Sequence, residues 1–273
     1  MTIAESNRVS IEEGVVFGTG GARDLKCDVF TPPGKPKDAP AVLLVHGGGW
    51  LDGDRTQLRG YGILLGRKGY VCVASEYRLS GESRWPAQIH DVKAAIRWMR
   101  ANAADLGLDP ARIAVSGNSA GGHLSLMAGA TQDVSAFEGE GGNLGHSTAV
   151  SAVIAFYPPV QLKHPEQPLS QPVEALMGSD ATAEALDEAS PITHVTRAFP
   201  PTLLIHGSDD AIVPVEASLG MYRALSAAGV PSELHVYAGQ PHAFDAAPAF
   251  GRQSAEVMEL FLQRYVGAPA TTS

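Results

Sequence analysis

Six short apolar runs, at 41–45, 70–74, 113–115, 152–157, 202–205 and 234–237, recur along the chain between stretches of helical periodicity. A strand that is apolar on both faces has to be covered on both, which is the condition of a parallel sheet held between two helical layers. Two further strand-like segments, around 15–17 and 26–30, open the chain, and the second alternates Cys27 and Val29 with polar neighbours. The intervening stretches supply the helices. Over 87–102, Ile89, Val92, Ile96 and Met99 recur at helical spacing, with His90, Lys93, Arg97 and Arg100 on another face and Pro86 near the start. Residues 215–228 behave similarly and close at Gly229 with Pro231 beyond, and 254–266 supply a last helix through Val257, Leu260, Phe261 and Tyr265. The pattern predicts an α/β fold: a mostly parallel, eight-stranded, doubly wound sheet with helices on both faces.

At 273 residues the chain reads as one domain over 1–273, because nothing resembling a linker divides it. Two stretches break the alternation. Residues 131–147, with Glu138-Gly139-Glu140-Gly141-Gly142, read as a flexible surface loop. Residues 158–201 are Pro-rich with one weak helical stretch near 181–189. In a doubly wound sheet such an insertion lies above the carboxyl ends of the strands, so it is a candidate partial cap, with a plain connection as the alternative. A net charge of −9 argues against a nucleic-acid-binding surface. Segment 1–10 has no basic region followed by an apolar stretch, and no apolar run approaches membrane-spanning length, so a cytoplasmic protein without membrane attachment is expected. Cys27 and Cys72 both fall in strand-like runs without metal-ligand spacing; they are expected to be buried free thiols, and no metal site is expected.

The chemistry is concentrated in loops that follow the strands. Gly117-Asn118-Ser119-Ala120-Gly121 lies between the run at 113–115 and an apolar helical stretch, where a tight strand-to-helix turn projects a serine hydroxyl outward. The pentapeptide is short enough to arise by chance; its setting carries the weight. A neutral hydroxyl is a weak nucleophile and needs a base, and the base needs an acid to hold its tautomer. After the strand at 202–205 comes His206-Gly207-Ser208-Asp209-Asp210-Ala211-Ile212-Val213-Pro214, in which register puts Asp210 at the acid position, with Asp209 as the fallback and a helix N-cap as the structural alternative for either. After the strand at 234–237, the loop Gly239-Gln240-Pro241-His242-Ala243-Phe244 offers His242 as the base; His206 and His235 read as core or loop-bracing histidines. The fourth part is His46-Gly47-Gly48-Gly49-Trp50 after the strand at 41–45. Backbone N–H groups there and at the serine turn can stabilise a developing oxyanion, and the donors are assigned to Gly48, Gly49 and Ala120, with His46 as a loop brace. Trp50, Asn118 and Trp85 are the candidates for substrate contact, the tryptophans by way of aryl or sugar groups.

Taken together, HGGGW, EYRLS at 76–80, the stretch from Trp85 to Leu124 and the two late loops resemble the α/β-hydrolase-fold serine esterases of the hormone-sensitive-lipase-like superfamily, and within it small bacterial esterases related to bifunctional feruloyl and acetyl xylan esterases. The similarity runs from about Val15 to Val266. It implies an α/β-hydrolase fold, a Ser119, Asp210, His242 triad, and hydrolysis of acetyl and hydroxycinnamoyl esters without a cofactor. Only 45 residues precede His46, and the acid loop is HGSDDAIVP; both differ from typical hormone-sensitive-lipase relatives and imply a small or absent cap. The expected partner is a small-molecule ester such as a short acyl or oligosaccharide ester, and an exposed final helix leaves a homodimer open. Two other functions fit the same residues: cleavage of an amide, as in arylformamidases or small serine peptidases, and a non-catalytic ligand-binding module on a hydrolase scaffold.

Overall fold

A computed structural model describes residues 8–34, 36–132, 134–163 and 168–269. Residues 1–7, most of the segment expected to carry no leader, lie outside the described residues, as do 164–167 of the insertion. The strands are β1 (Ser10–Gly20), β2 (Arg23–Thr31), β3 (Ala39–Val45), β4 (Val71–Ser75), β5 (Leu108–Asn118), β6 (Ala152–Phe156), β7 (Thr202–Gly207) and β8 (Ser232–Tyr237). They form one sheet in the order β1-β2-β4-β3-β5-β6-β7-β8. The β1–β2 and β2–β4 pairs are antiparallel and every later pair is parallel. This is the α/β-hydrolase arrangement, with the glycine-rich turn after β3 and the serine turn after β5 side by side.

The helices are α1 (Arg59–Arg67), α2 (Ala87–Ala101), the short α3 (Ala103–Leu106), α4 (Ala120–Ala130), α5 (Gln171–Met177), α6 (Ala183–Glu188), α7 (Glu216–Ala227) and α8 (Pro248–Tyr265). Successive residues of β3 serve opposite layers: Leu43 and Val45 pack with α2, α4 and α7, while Val42 and Leu44 pack with α1 and α8. Period-two alternation within an apolar strand therefore feeds two cores, and each has its own helices. Helix α4 is buried all round from Ala120 to Gly129, so its apolar composition matches its central place behind the serine turn. Helix α8 starts at Pro248, two turns before the expected 254, because proline is well suited to a first helical position.

The burial pattern overturns three expectations. Lys93 and Arg97, read as part of a polar face of α2, are enclosed at 0% and 1% exposure. Both pair with Glu138: Lys93 Nζ lies 2.8 Å from Oε1 and Arg97 Nη1 lies 3.0 Å from Oε2. Arg97 also donates to the carbonyls of Glu138 and Gly142, at 2.8 and 3.0 Å. The segment read as a flexible loop is thus clamped over α2 by buried charges that have their counter-charge there, with Phe137 buried beside them. His235 is not a core histidine; its side chain is 42% exposed on β8, 3.6 Å from Glu233. Cys27 and Cys72 are buried free thiols, and burial pushes the Cys27 thiol up to about 12.

Candidate active site

Ser119 sits at the junction of β5 and α4 with φ 53° and ψ −118°, a region that costs a non-glycine residue about 1–3 kcal/mol. The surroundings over-determine it: its N–H donates to the Phe156 carbonyl at 2.9 Å, and its carbonyl accepts from His123 N. Gly121 is required by close approach. A Cβ there would fall 2.0 Å from the Val45 carbonyl oxygen and 2.4 Å from that of His46, so only glycine lets the serine turn close on the end of β3.

Three side chains from three loops meet at this turn. His242 Nε2 lies 2.9 Å from Ser119 Oγ, and His242 Nδ1 lies 2.6 Å from Asp210 Oδ2. Asp210 is held by its own loop, its Oδ1 accepting from the N–H groups of Ile212 and Val213, each at 2.9 Å. With a carboxylate facing Nδ1, that nitrogen carries the proton and Nε2 presents its lone pair to the serine. Asp209 instead accepts from Ser208 Oγ and points away from the imidazole pair. Neither aspartate caps α7, whose N-cap residue is Val215.

His206 closes the acid loop from below. Its Nε2 donates to the Val213 carbonyl at 2.8 Å and lies 3.3 Å from Asp210 Oδ2, while Nδ1 accepts from Ser218 Oγ at 2.7 Å. Burial lowers its basicity, and a neutral ring fits both bonds. His46 braces the glycine turn: Nδ1 donates to the Gly47 carbonyl at 2.8 Å and the ring stacks on Tyr77 at 4.3 Å, whose hydroxyl donates to the His46 carbonyl.

Gly48 has φ 109°, and its carbonyl accepts from Leu51 and Asp52, which turns the chain so that the 47–49 backbone faces the serine turn. A Cβ at Gly47 would lie 3.4 Å from Ser119 Cβ, a measure of how near the two turns are. Ala120 is the first residue of α4, where a backbone N–H has no intrahelical acceptor. Ala120 thus adjoins the serine directly, and Gly48 and Gly49 follow the glycine that packs against it.

The side chains expected to touch substrate are distributed differently. Trp50 is 3% exposed, edge-on to His123 at 5.1 Å, and so offers a ligand almost no surface. Asn118 turns beneath the serine, Nδ2 donating to the Tyr157 hydroxyl at 3.3 Å. The Trp85 side chain stays half-buried between His123 and Phe137, and the residue's backbone N–H donates to the Leu176 carbonyl of α5. That contact and Pro172, whose Cβ would lie 3.3 Å from a Cβ placed on Gly49, bring α5 over the glycine turn. Helix α5 carried no clear signal, since Gln171-Pro172-Val173 begins it without a capping side chain. Tyr157 and Asp245 had no motif of their own; only the fold brings them behind His242, whereas Tyr77, within EYRLS, packs under the glycine turn on His46.

The BD-FAE family model matches residues 27–225, which contain the glycine turn, the serine turn and the acid loop. The chain belongs to the BD-FAE family. This BD-FAE member is 37% identical over 193 residues to the esterase LipC of Mycobacterium tuberculosis, an alignment that covers 67% of the chain and 47% of LipC. The chain spans about half the length, or less, of the first curated relatives it matches. Two solved structures match over nearly their whole length. A truncated carbohydrate esterase from gut microbiota superposes with a TM-score of 0.85 at 28% identity, covering 96% of this chain and 98% of that one. The propionate-bound structure of Thermogutta terrifontis esterase 2 gives 0.82 at 26% identity, covering 99% and 98%. Among the described residues, no group of three or more His, Cys, Asp or Glu side chains is placed to hold a metal ion, and no helix is long and apolar enough to cross a membrane.

Proposed function

We propose that this protein is a serine carboxylesterase that hydrolyses short acyl or aryl esters, including acetyl or feruloyl esters of small saccharides. The observation that carries the reading is the continuous chain Ser119 Oγ, His242 Nε2, His242 Nδ1, Asp210 Oδ2, with contacts of 2.9 and 2.6 Å, beside a glycine turn after β3. His242 takes the serine proton as Oγ attacks the ester carbonyl, and Asp210 stabilises the imidazolium that results. The tetrahedral oxyanion is met by the N–H groups of Gly48, Gly49 and Ala120, each worth about 2.7–4 kcal/mol if it behaves as such donors usually do. His242 returns the proton to the leaving alcohol, and water activated by the same imidazole releases the acid. Relatives named as esterases and a neighbour named as a carbohydrate esterase support the substrate class. The propionate complex of another neighbour is in keeping with a short acyl group.

The position of α5 over Gly49 fits a minimal cap in one domain, with Pro172 forming a wall beside the oxyanion turn and Trp85 the remaining aromatic surface. A panel of p-nitrophenyl esters tests the reading. Acetate and butyrate should be cleaved faster than long-chain esters, and Ser119→Ala should lower kcat by about 10⁴ or more. Undiminished turnover by that variant would refute the assignment.

A further inference from the structure

Behind the imidazole lies a second polar group that the serine chemistry does not use. Asp245, three residues after His242 in a short turn at Phe244–Ala246, is 8% exposed. Tyr61 of α1 donates its hydroxyl to Oδ2 at 3.0 Å, and Tyr157 donates to Oδ1 in a short hydrogen bond. Since Tyr157 accepts from Asn118 Nδ2, its own proton goes to Asp245, so both carboxyl oxygens act as acceptors, the pattern that suits the ionised form. Burial pushes the Asp245 carboxyl up, and the two tyrosine bonds oppose that shift.

Tyr157 links this carboxylate to the site. Its ring centroid is 4.5 Å from that of His242, tilted by 60°. The residue is held at φ 36°, its N–H donating to the Ile205 carbonyl at 2.7 Å, while the preceding carbonyl, of Phe156, holds Ser119 N. One strained residue thus touches the base, the neighbour of the nucleophile and a buried carboxylate. The groups packed against His242 are Ser119 from the turn before α4, Asp210 after β7 with His206 behind it, and Tyr157 after β6; Asp245, with Tyr61 on its other oxygen, lies one hydrogen bond further back through Tyr157 and acts on the imidazole by charge alone.

We propose that Tyr157 and Asp245 are positioning residues for His242: the phenol ring sets the tilt of the imidazole, and the carboxylate it holds favours the protonated ring formed during acyl transfer. This rests on His242 being the base. A nearby negative charge stabilises imidazolium, so its removal should move the acid limb of kcat/KM to lower pH. Asp245→Asn is expected to shift that limb down by about 0.5 pH units and to lower kcat roughly tenfold, with KM nearly unchanged. Tyr157→Phe keeps the ring and removes the oxygen that donates to Asp245; it should shift the limb in the same direction by a smaller amount, and it supplies the reading if asparagine at 245 prevents folding. An acid limb that superimposes on the wild-type profile in the folded variants, or moves upward, overturns the proposal. Ser119→Ala and His242→Ala run alongside separate the two claims: activity surviving in them sinks the reading of the site, whereas their inactivity with an unmoved limb sinks the positioning role alone.

Discussion

At the scale of single residues, the site depends on atoms whose protonation is dictated by their neighbours. Asp210 spends Oδ1 on two backbone N–H groups of its own loop and keeps Oδ2 for His242. Asp210→Asn therefore preserves the loop bonds through its amide oxygen while presenting an N–H to Nδ1. The imidazole must answer by moving its proton to Nε2, where it cannot accept one from Ser119. Steady-state hydrolysis should show kcat lower by about 10³–10⁴, with a thermal midpoint near that of the parent. A loss below about tenfold would place the acid elsewhere. The three side chains that meet at the serine turn were legible as candidates because each followed a strand in a loop of recognisable composition. Trp50 was not: a positive φ of 59° after the glycine turn swings the indole into the core against His123, and no residue type announces that rotation in advance.

At the scale of elements, legibility followed the apolar pattern. The six strands β3–β8 lie where the six apolar runs put them, since a parallel strand covered on both faces has little choice but to be apolar. Boundaries were less visible: β1 extends over Ser10–Gly20 although most of its residues are polar or glycine, because antiparallel pairing with β2 and bulges in its register carry it past the apolar stretch. The 131–147 segment shows the converse. Its glycines and acids look solvated, yet Glu138 supplies the counter-charge for Lys93 and Arg97 from α2, a pairing between residues more than 40 positions apart. Charge on a helix face does not by itself distinguish water from a buried partner. Helix α5 has seven residues and no side-chain cap, so only its packing on Trp85 and Gly49 identifies it.

At the scale of the whole molecule, three buried histidines couple the fold to pH. His123 is enclosed in α4, its Nε2 donating to the Ala189 carbonyl at 2.7 Å, and burial lowers it from 6.5 to about 4. Burial lowers His46 and His206 as well. Below pH 6.5 the unfolded chain takes up protons that the folded one refuses, so stability is full above that pH and falls as the pH drops towards 4. His123 alone accounts for about 3 kcal/mol across this window. Urea midpoints measured from pH 7 to pH 4.5 should decline for the parent and decline less for His123→Gln; parallel curves would show that this histidine is not the group responsible.

Ser119 Oγ, half-buried at the turn before α4 and 2.9 Å from His242 Nε2, is the atom on which the functional account stands. Incubation with a fluorophosphonate probe, followed by peptide mass spectrometry, tests it most directly. The expected result is a single covalent adduct on the peptide containing Ser119, absent in Ser119→Ala and strongly slowed in His242→Ala. An unmodified Ser119 in folded protein, or an adduct mapping to another residue, would contradict it.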